Sequence, residues 1–434
     1  MKSVADLQTF RKRAYCLLGN GRDALFDLMD AVITSRSVPS FAELSLSSAF
    51  RRQWSSLYKT LERSSPSSDK LMRLYTDYRP RESRLVLAGD HTAWPRLWSP
   101  TLKERTYEHQ PAWAPGAKPV TLGQGYSTIA CVPEMSGSWA LPVLHERITS
   151  FESPLEKAAH QLNRVCQAID GRPISLWDAE YGCARFIELT ANVACDKVMR
   201  LRSNRVVYGP PPPYSGRGRP RKHGDKFKLN APDTWWAPTQ QHEAVDERLG
   251  HLRLRCWDNV HFRKTATHWM RLILVERLDT QGKRTHRPLW LIATGDTLPT
   301  LDSVWQLYLR RFCVDHWYRL IKQRLHWCLP NLGTSAQTDV WSTLMPLMTL
   351  QLWLARDHAN QTLPWQTPMP QPTPGRVANG FAALLDTLGT PAEDVKPRGN
   401  SPGWPTGKAR TPRKRFPTVR KSYSKPKSKP KQAA

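Results

Sequence analysis

Two short apolar runs, each ended by an aspartate, constrain the fold of this chain more than any other feature. The first is Arg84-Leu-Val-Leu-Ala-Gly-Asp90 and the second is Pro173-Ile-Ser-Leu-Trp-Asp178. A continuous apolar run of this length is typical of a strand that is buried on both faces, as in the parallel sheets of α/β proteins. We therefore expect Asp90 and Asp178 at the ends of two core strands. Either aspartate alone would more often be a strand-end cap or a surface charge.

The segments around these runs predict an α/β order of elements. Ser153-Pro-Leu-Glu156 has the form of a capping box with proline at the first helical position, and Gly171 ends the helix that it opens. Strand and short-helix patterns fill the rest of the region, with strands at 126–132, 138–144 and 197–201 and a short helix at 184–190. The predicted order is three strands, a helix, a strand, a helix and a strand.

A third segment, residues 308–322, predicts one continuous helix, because it has no Gly or Pro and its apolar residues recur at helical spacing. At about 100° per residue, four polar side chains fall within about 60° of the first of them: Tyr308, Arg311, Asp315 and Lys322. The ordinary explanation is the solvent-exposed face of an amphipathic helix. The alternative is a functional face that carries an aromatic hydroxyl, two cations and a carboxylate.

The spacing Tyr-x2-Arg-x3-Asp-x6-Lys resembles the Y-R-E-K signature of a group of bacterial insertion-sequence transposases in the DDE superfamily. Asp178-x-x-Tyr181 also resembles the second-acid motif of that group. The resemblance spans residues 84–201 and approximately 300–358, and it implies an α/β, ribonuclease-H-like core interrupted by a β-rich insertion. One residue departs from the signature, because Asp315 stands where the group has Glu.

The resemblance also implies the chemistry of the site. Its members are three catalytic, metal-binding acids, Asp90, Asp178 and Asp315, and three residues that contact DNA phosphates, Tyr308, Arg311 and Lys322. Three carboxylates that converge from two strands and a helix suit two divalent ions in an in-line displacement at phosphorus. Hard oxygen ligands favour Mg²⁺ or Mn²⁺ over zinc. The shorter side chain of Asp315 requires either a helix closer to the strands or a loss of activity.

The charge of the chain indicates its partner. Lys and Arg number 64 against 37 Asp and Glu, for a net charge of +27. Such a charge favours a polyanion, either nucleic acid or an anionic membrane surface. No stretch reaches the roughly 18 consecutive apolar residues of a membrane helix, and the N-terminus is too polar for a signal peptide. We therefore expect nucleic acid and no membrane. The eight cysteines include no Cys-x-x-Cys pair, as expected of reduced thiols in a cytosol.

Residues 202–299 form the insertion between the second and third acids. Its Pro- and Gly-rich start contains Arg217-Gly-Arg-Pro220, the core of an AT-hook, and we expect Arg217 and Arg219 to enter an A·T minor groove as part of an extended segment. The alternative is a basic solvated loop. Three strand patterns, at 252–257, 270–277 and 288–294, predict a small sheet. Trp290 either stacks on a base displaced beside the scissile phosphate or belongs to the core.

The flanking regions have simpler patterns. Residues 1–83 predict a helical region that either binds the ends of a DNA element or serves as packing scaffold. Residues 300–360 complete the core with a second apolar helix at 338–359, which Pro346 should kink. Residues 361–434 predict a Pro-rich linker and a disordered basic tail, because 13 basic and no acidic residues follow from Lys396 onward.

The function implied by the resemblance is DNA transposition in a bacterial cytoplasm. We expect a transposase that cleaves double-stranded DNA at the ends of an insertion sequence and transfers them into target DNA, as a homodimer in the synaptic complex. One alternative is a catalytically inactive, transposase-derived DNA-binding protein. Another is a basic architectural protein, which leaves the three acids without a role. Metal-dependent nicking of DNA separates the enzyme from both.

Overall fold

A ten-stranded mixed sheet is the centre of the fold. The computed structural model describes residues 3–109, 119–359, 364–365, 367, 371–397, 403 and 405–421. The strands are β1 (Val86–Pro95), β2 (Thr106–His109), β3 (Val120–Cys131), β4 (Leu141–Ile148), β5 (Ile174–Trp177), β6 (Asp196–Arg200), β7 (Val206–Tyr208), β8 (Lys226–Lys228), β9 (Gln240–Asp246), β10 (Gly250–Val260), β11 (Met270–Leu278) and β12 (Leu289–Thr294). The helices are α1 (Val4–Leu17), α2 (Arg22–Thr34), α3 (Ser55–Arg63), α4 (Ser68–Asp77), α5 (Pro154–Gln167), α6 (Ala184–Leu189), α7 (Val304–Leu309), α8 (Phe312–Gln323), α9 (Ser335–Ala355) and α10 (Pro374–Leu388).

The sheet combines parallel and antiparallel pairing. Its order is β2-β3-β1-β5-β6-β12-β11-β10-β9, and β4 pairs with the part of β3 that β2 leaves free. The central strands β1, β5 and β6 are parallel neighbours, whereas β3 and β12 on either side of them run antiparallel. The predicted α/β class is therefore confirmed. The strands expected at 126–132, 138–144 and 197–201 are β3, β4 and β6, with ends shifted by a few residues.

The strands of the insertion extend the core sheet. β12 pairs antiparallel with β6, from Leu291 opposite Arg200 to Thr294 opposite Lys197, and β11, β10 and β9 follow in order. The strands themselves agree with the sequence patterns, but the expectation of a separate small sheet is wrong. β6 is buried, so the backbone groups on its outer edge need partners, and β12 supplies them.

The N-terminal helices pack on the C-terminal ones. The helices expected before residue 83 are present, with α4 in addition, and α1, α2 and α3 all contact α9. At the centre of this packing, the buried Arg11 guanidinium pairs with Asp30 at 2.8 Å and donates to Gln351 Oε1 and to the Gly389 carbonyl. Removal of one partner from such a buried pair costs roughly 3–5 kcal/mol. This network therefore fixes α1 and α2 against α9 and the end of α10.

α9 is the second apolar helix that the sequence predicts. It spans 21 residues, begins with a capping box formed by Thr334 and Gln337, and contains Pro346. Most of its side chains are buried, and it packs on β4 as well as on the N-terminal helices. Even so, no helix in the described part of the chain is long and apolar enough to cross a membrane.

The C-terminal region has more structure than the sequence predicts. α10, which was expected to be linker, packs on α2 and α9. Residues 411–421 run beside β2, where the amides of Phe416 and Val419 each donate a 2.8 Å hydrogen bond to a carbonyl of the segment before that strand. The expectation of disorder does not hold for these residues, because backbone hydrogen bonds anchor this basic segment beside β2. Residues 422–434 lie outside the described residues.

Candidate active site

Asp90 and Asp178 lie next to each other on neighbouring strands. Gly89 pairs with Trp177 in the parallel register of β1 and β5, so each aspartate is the residue that follows the last pair. Gly89 is needed there, because a Cβ would lie 2.1 Å from the Trp177 indole. The expectation that a strand ends at Asp90 is wrong, since β1 continues along β3 as far as Pro95. The two acids are nevertheless placed together where the parallel pairing stops.

The helix expected over residues 308–322 is two helices joined by a tight turn. Arg310 and Arg311 separate α7 from α8, and the Arg311 amide bonds to the carbonyl three residues earlier, at 3.1 Å. This is the pattern of a 3₁₀ turn. No Gly or Pro marks it in the sequence. The two guanidinium groups have different partners, Arg310 with the buried Val132 carbonyl and Arg311 with the partly buried Asp90, and these tertiary contacts account for the break.

The polar face of α8 is turned towards the sheet. Arg311 Nη1 lies 3.2 Å from Asp90 Oδ2, and its Nη2 lies 3.0 Å from Asp315 Oδ2. Lys322 Nζ donates to Thr92 Oγ1 at 2.7 Å. A simple solvent-exposed face does not explain these contacts, because both cations reach inward to β1. The structure thus brings Asp315 and Arg311 to the strand that carries Asp90.

Two tyrosines support this face. Tyr308 is only 2% exposed, and burial raises its pKa to about 12. The hydroxyl of Tyr318 lies 2.9 Å from the Asp90 carbonyl oxygen and 2.9 Å from Thr128 Oγ1. The sequence reasoning missed Tyr318, although helical geometry places it about 80° from Tyr308, beside the same face. Its hydroxyl ties α8 to β1 and β3 at the level of the acids.

The acids are close enough to influence one another's ionisation. Burial raises the pKa of Asp90 to about 6; the positive charge of Arg311 opposes this shift, and the carboxylates of Asp178 and Asp315 add to it. Burial disfavours the charged form of Arg311, but Asp90 and Asp315 outweigh this effect and raise its pKa. The three expected acids therefore form one electrostatic cluster, with Arg311 as its counter-charge.

A hydrogen bond joins the two segments that carry the strand aspartates. Nδ1 of His91, the residue after Asp90, lies 3.0 Å from the hydroxyl of the buried Tyr181. Tyr181 belongs to the motif that begins at Asp178, and the neighbouring Glu180 has its Oε2 3.9 Å from His91 Nε2. The sequence reasoning missed His91, whose place beside an acid carries no periodic signal. This hydrogen bond fixes the distance between strand β1 and the loop that follows β5.

A divalent cation suits these side chains chemically, but not in their present arrangement. The described residues contain no group of three His, Cys, Asp or Glu side chains close enough together to hold a metal ion. Carboxylate oxygens are the ligands that Mg²⁺ and Mn²⁺ prefer, and the mutual repulsion of the three acids indicates a need for positive charge. The Arg311 guanidinium lies between Asp90 and Asp315 and supplies that charge here.

Comparison with protein families identifies the chain. The family described as DDE superfamily endonuclease matches residues 15–264, which is more than half of the 434 residues. The chain belongs to this family. The match contains Asp90 and Asp178 but ends before α7, so Asp315 lies outside it. No curated protein matches the chain. The family consists of transposase-like nucleases that act on DNA and generally use divalent metal ions.

The remaining predicted contact residues of this DDE superfamily endonuclease lie in its insertion. Trp290 is 1% exposed and packs against Trp257, Trp235 and Phe227. Trp290 thus lies in the core, the second of the two places expected for it. A base could stack on it only if this aromatic cluster opened.

Arg217 and Arg219 are exposed on the loop between β7 and β8. Gly216 and Gly218 both have positive φ, at 80° and 74°, and the Tyr214 hydroxyl donates to the Gly218 carbonyl at 2.9 Å. The loop therefore bends at two glycines whose positive-φ backbone conformation other residues rarely adopt. The expectation of an extended segment is wrong for this conformation, but both arginine side chains are accessible to DNA.

Proposed function

We propose that this DDE superfamily endonuclease is the transposase of a bacterial insertion sequence, from the group with the Y-R-E-K signature. It cleaves the ends of its element and transfers them into target DNA. The observation that carries the proposal is the approach of α8 to the two acid-bearing strands. Arg311 links Asp90 to Asp315, and Asp178 acts on the ionisation of Asp90 from the neighbouring strand.

The order of the central strands supports a ribonuclease-H-like core. Reading β4-β3-β1-β5-β6, the first pairings are antiparallel and the last two are parallel, with acids on β1 and after β5 and a third on a later helix. The core then consists of residues 84–201 and 300–360. The insertion at 202–299 interrupts it, and residues 1–83 and 361–434 are additions at either end.

The side chains in the site have distinct roles in this proposal. When bound by the three acids, Mg²⁺ or Mn²⁺ supplies the charge that activates the attacking oxygen and stabilises the leaving oxygen. Arg311 and Lys322 orient the scissile phosphate through charge-assisted hydrogen bonds. Tyr308, which the resemblance assigns to a phosphate contact, is buried beside Arg311 and positions it in this proposal. Tyr318 fixes the backbone of Asp90.

Double-stranded DNA fits the charge of the molecule. The net charge of +27 gives affinity for any duplex, and the exposed Arg217 and Arg219 add minor-groove contacts at A·T-rich ends. An insertion sequence has two ends that must be cut together. A homodimer in the bacterial cytoplasm, with one subunit for each end, meets this requirement.

A catalytically inactive DNA-binding descendant is the second candidate function. Two observations favour it. The third acid is Asp315 and not the longer Glu, and Arg311 neutralises two of the acids in the present conformation. Neither observation affects binding to DNA, so the two candidates differ only in chemistry.

Product sequencing distinguishes the candidates. The full chain is incubated with Mg²⁺, a plasmid that carries the element's own flanking DNA, and a second target plasmid. A transposase yields breaks at the element ends and joined products flanked by short direct duplications. Breaks at random positions without joined products would indicate a non-specific nuclease and contradict the proposal. DNA that the chain binds but does not break would identify the catalytically inactive DNA-binding protein.

A further inference from the structure

Arg311 contacts two of the three carboxylates of the acid cluster from its less exposed side. Its guanidinium lies 3.2 Å from Asp90 and 3.0 Å from Asp315, and its side chain is 9% exposed against 43% for Asp315. One arginine thus bridges Asp90, whose side chain is 14% exposed, and the more exposed Asp315. The position of the guanidinium is the position where a cation shared by these two carboxylates would lie.

Other cations near the acids are engaged elsewhere or lie farther away. Lys322 donates to Thr92, and His91 Nδ1 is 3.9 Å from Asp90 Oδ1. Across the described ranges, no ion pair joins Asp178 to a cation. Among the described residues, Arg311 is therefore the cation in direct contact with two of the three acids.

A guanidinium and a divalent ion compete for the same oxygens. Two cations that share one pair of carboxylates at close range repel each other strongly. Arginine does not lose its proton in proteins, so Arg311 cannot leave the cluster by becoming neutral. Asp90 and Asp315 are available to a metal only when the Arg311 side chain moves.

DNA offers Arg311 an equivalent partner. Phosphate oxygens accept two parallel hydrogen bonds from a guanidinium as a carboxylate does. Exchange of Asp90 and Asp315 for a phosphate therefore preserves the hydrogen bonds of Arg311. The acids that it leaves would then lack a counter-charge although the fold holds them close together, and like charges at close range repel one another.

We propose that Arg311 is a built-in counter-cation that keeps the acid cluster from binding divalent metal until a DNA phosphate takes over its guanidinium. DNA and metal then bind with positive coupling, and each raises the affinity of the other by the same factor. The inference rests on the proposed function, because it requires that the three acids bind metal. Its consequence is that the chain does not assemble a cutting site without a substrate in place.

Metal binding to the DNA-free full chain tests this proposal. Mn²⁺ affinity is measured by electron paramagnetic resonance for the wild type, Arg311→Gln and the control Arg319→Gln, which changes an exposed arginine of α8. We expect Arg311→Gln to bind Mn²⁺ at least about tenfold more tightly, because a competing charge has been removed. Arg319→Gln should match the wild type. Added duplex DNA, corrected for its own Mn²⁺ binding, should raise the affinity of the wild type far more than that of Arg311→Gln.

The outcomes separate this inference from the proposed function. If Arg311→Gln binds Mn²⁺ no better than the wild type while Asp90→Asn abolishes binding, the acids form a metal site and the counter-cation role is contradicted. If no chain binds Mn²⁺ with or without DNA, both proposals fail. Circular dichroism checks that each variant is folded. Should Arg311→Gln not fold, Arg311→Lys serves in its place, with an affinity expected above that of the wild type because one ammonium cannot bridge both carboxylates as the guanidinium does.

Discussion

At the scale of single residues, Asp315 carries the third carboxylate of the proposed site on a side chain shorter than Glu. Replacement by Glu extends the carboxylate by about 1.5 Å. Catalytic ligands tolerate errors of only about 0.5 Å, so we expect Asp315→Glu to raise the rate of strand cleavage in Mg²⁺ several-fold. The gain should be smaller in Mn²⁺, which accepts less regular geometry. A lower rate for Asp315→Glu would show that the site is built for Asp, and an unchanged rate for Asp315→Ala would exclude Asp315 from the site.

His145 should make the packing beneath α8 sensitive to acid. It is buried, with Nδ1 2.9 Å from Thr128 Oγ1 and its ring centroid 5.0 Å from that of Trp317. Burial lowers its pKa to about 3, so the unfolded chain takes up a proton near pH 6.5 that the folded chain does not accept. Stability therefore falls as the pH drops below about 6.5, by up to roughly 1.4 kcal/mol per pH unit.

The melting temperature between pH 7.5 and pH 5 measures this effect. The wild type should lose more stability over that range than His145→Gln. His251→Gln, which changes an exposed histidine, serves as the control and should behave as the wild type does. Equal losses for all three chains would show that the pKa of His145 is the same in the folded and unfolded chains.

The sequence indicated those residues of the candidate site whose chemistry and spacing are themselves a signal. Asp90 and Asp178 end apolar runs, and Arg311 and Asp315 share a helical face. Tyr318 and His91 escaped prediction because their roles are hydrogen bonds to residues far away in the chain. Such bonds depend on how strands and helices are aligned with one another, which local patterns do not encode.

At the scale of elements, periodicity located most strands and helices but not their partners. The apolar pattern of β12 identifies a strand, yet nothing in it specifies pairing with β6. The turn between α7 and α8 has no local signal, since it follows from buried contacts of Arg310 and Arg311. α10 was missed because the proline-rich segment before it obscured its apolar face.

In the proposed function, the loop between β7 and β8 contacts DNA through the exposed Arg217 and Arg219. We expect the double change Arg217→Ala with Arg219→Ala to weaken binding to A·T-rich ends more than to G·C-rich DNA. The same change of Lys283 and Arg287, two exposed basic residues elsewhere in the insertion, should weaken both duplexes alike. Competition binding at two salt concentrations measures the difference. Equal losses on both duplexes from the loop change would reduce the loop to a generic phosphate contact.

At the scale of the whole molecule, α8 is joined to the N- and C-terminal helices. Arg324, which follows α8, donates to the Ser35 carbonyl at 2.8 Å and to the Ala378 carbonyl at 3.2 Å. These bonds connect the C-terminal end of α8, the helix that carries Asp315, to the C-terminal end of α2 and to the interior of α10. A displacement of the terminal helices on DNA would therefore reach α8 directly.

The basic C-terminal region should divide into a structural part and a DNA-binding part. Deletion of residues 422–434 removes four lysines, and we expect weaker DNA binding with a flatter salt dependence, by up to about 0.9 in slope per lost phosphate contact, at an unchanged melting temperature. Deletion of residues 405–434 should also lower the melting temperature, because it removes the segment hydrogen-bonded beside β2. A loss of stability from the shorter deletion equal to that from the longer one would contradict this division.

Strand cleavage by Asp178→Asn is the most direct measurement of the central claim, that the acids beside α8 perform the chemistry. The variant keeps the size of the side chain but removes its charge, and Asp386→Asn, on the exposed side of α10, is the matched control. Nicking of end-containing plasmid in Mg²⁺ and binding to the same DNA are measured together. The account predicts that Asp178→Asn loses cleavage by at least about a hundredfold and keeps DNA affinity, since the metal ligands act on the chemical step and basic contacts give affinity. Cleavage by Asp178→Asn at the rate of the wild type and of Asp386→Asn would contradict it.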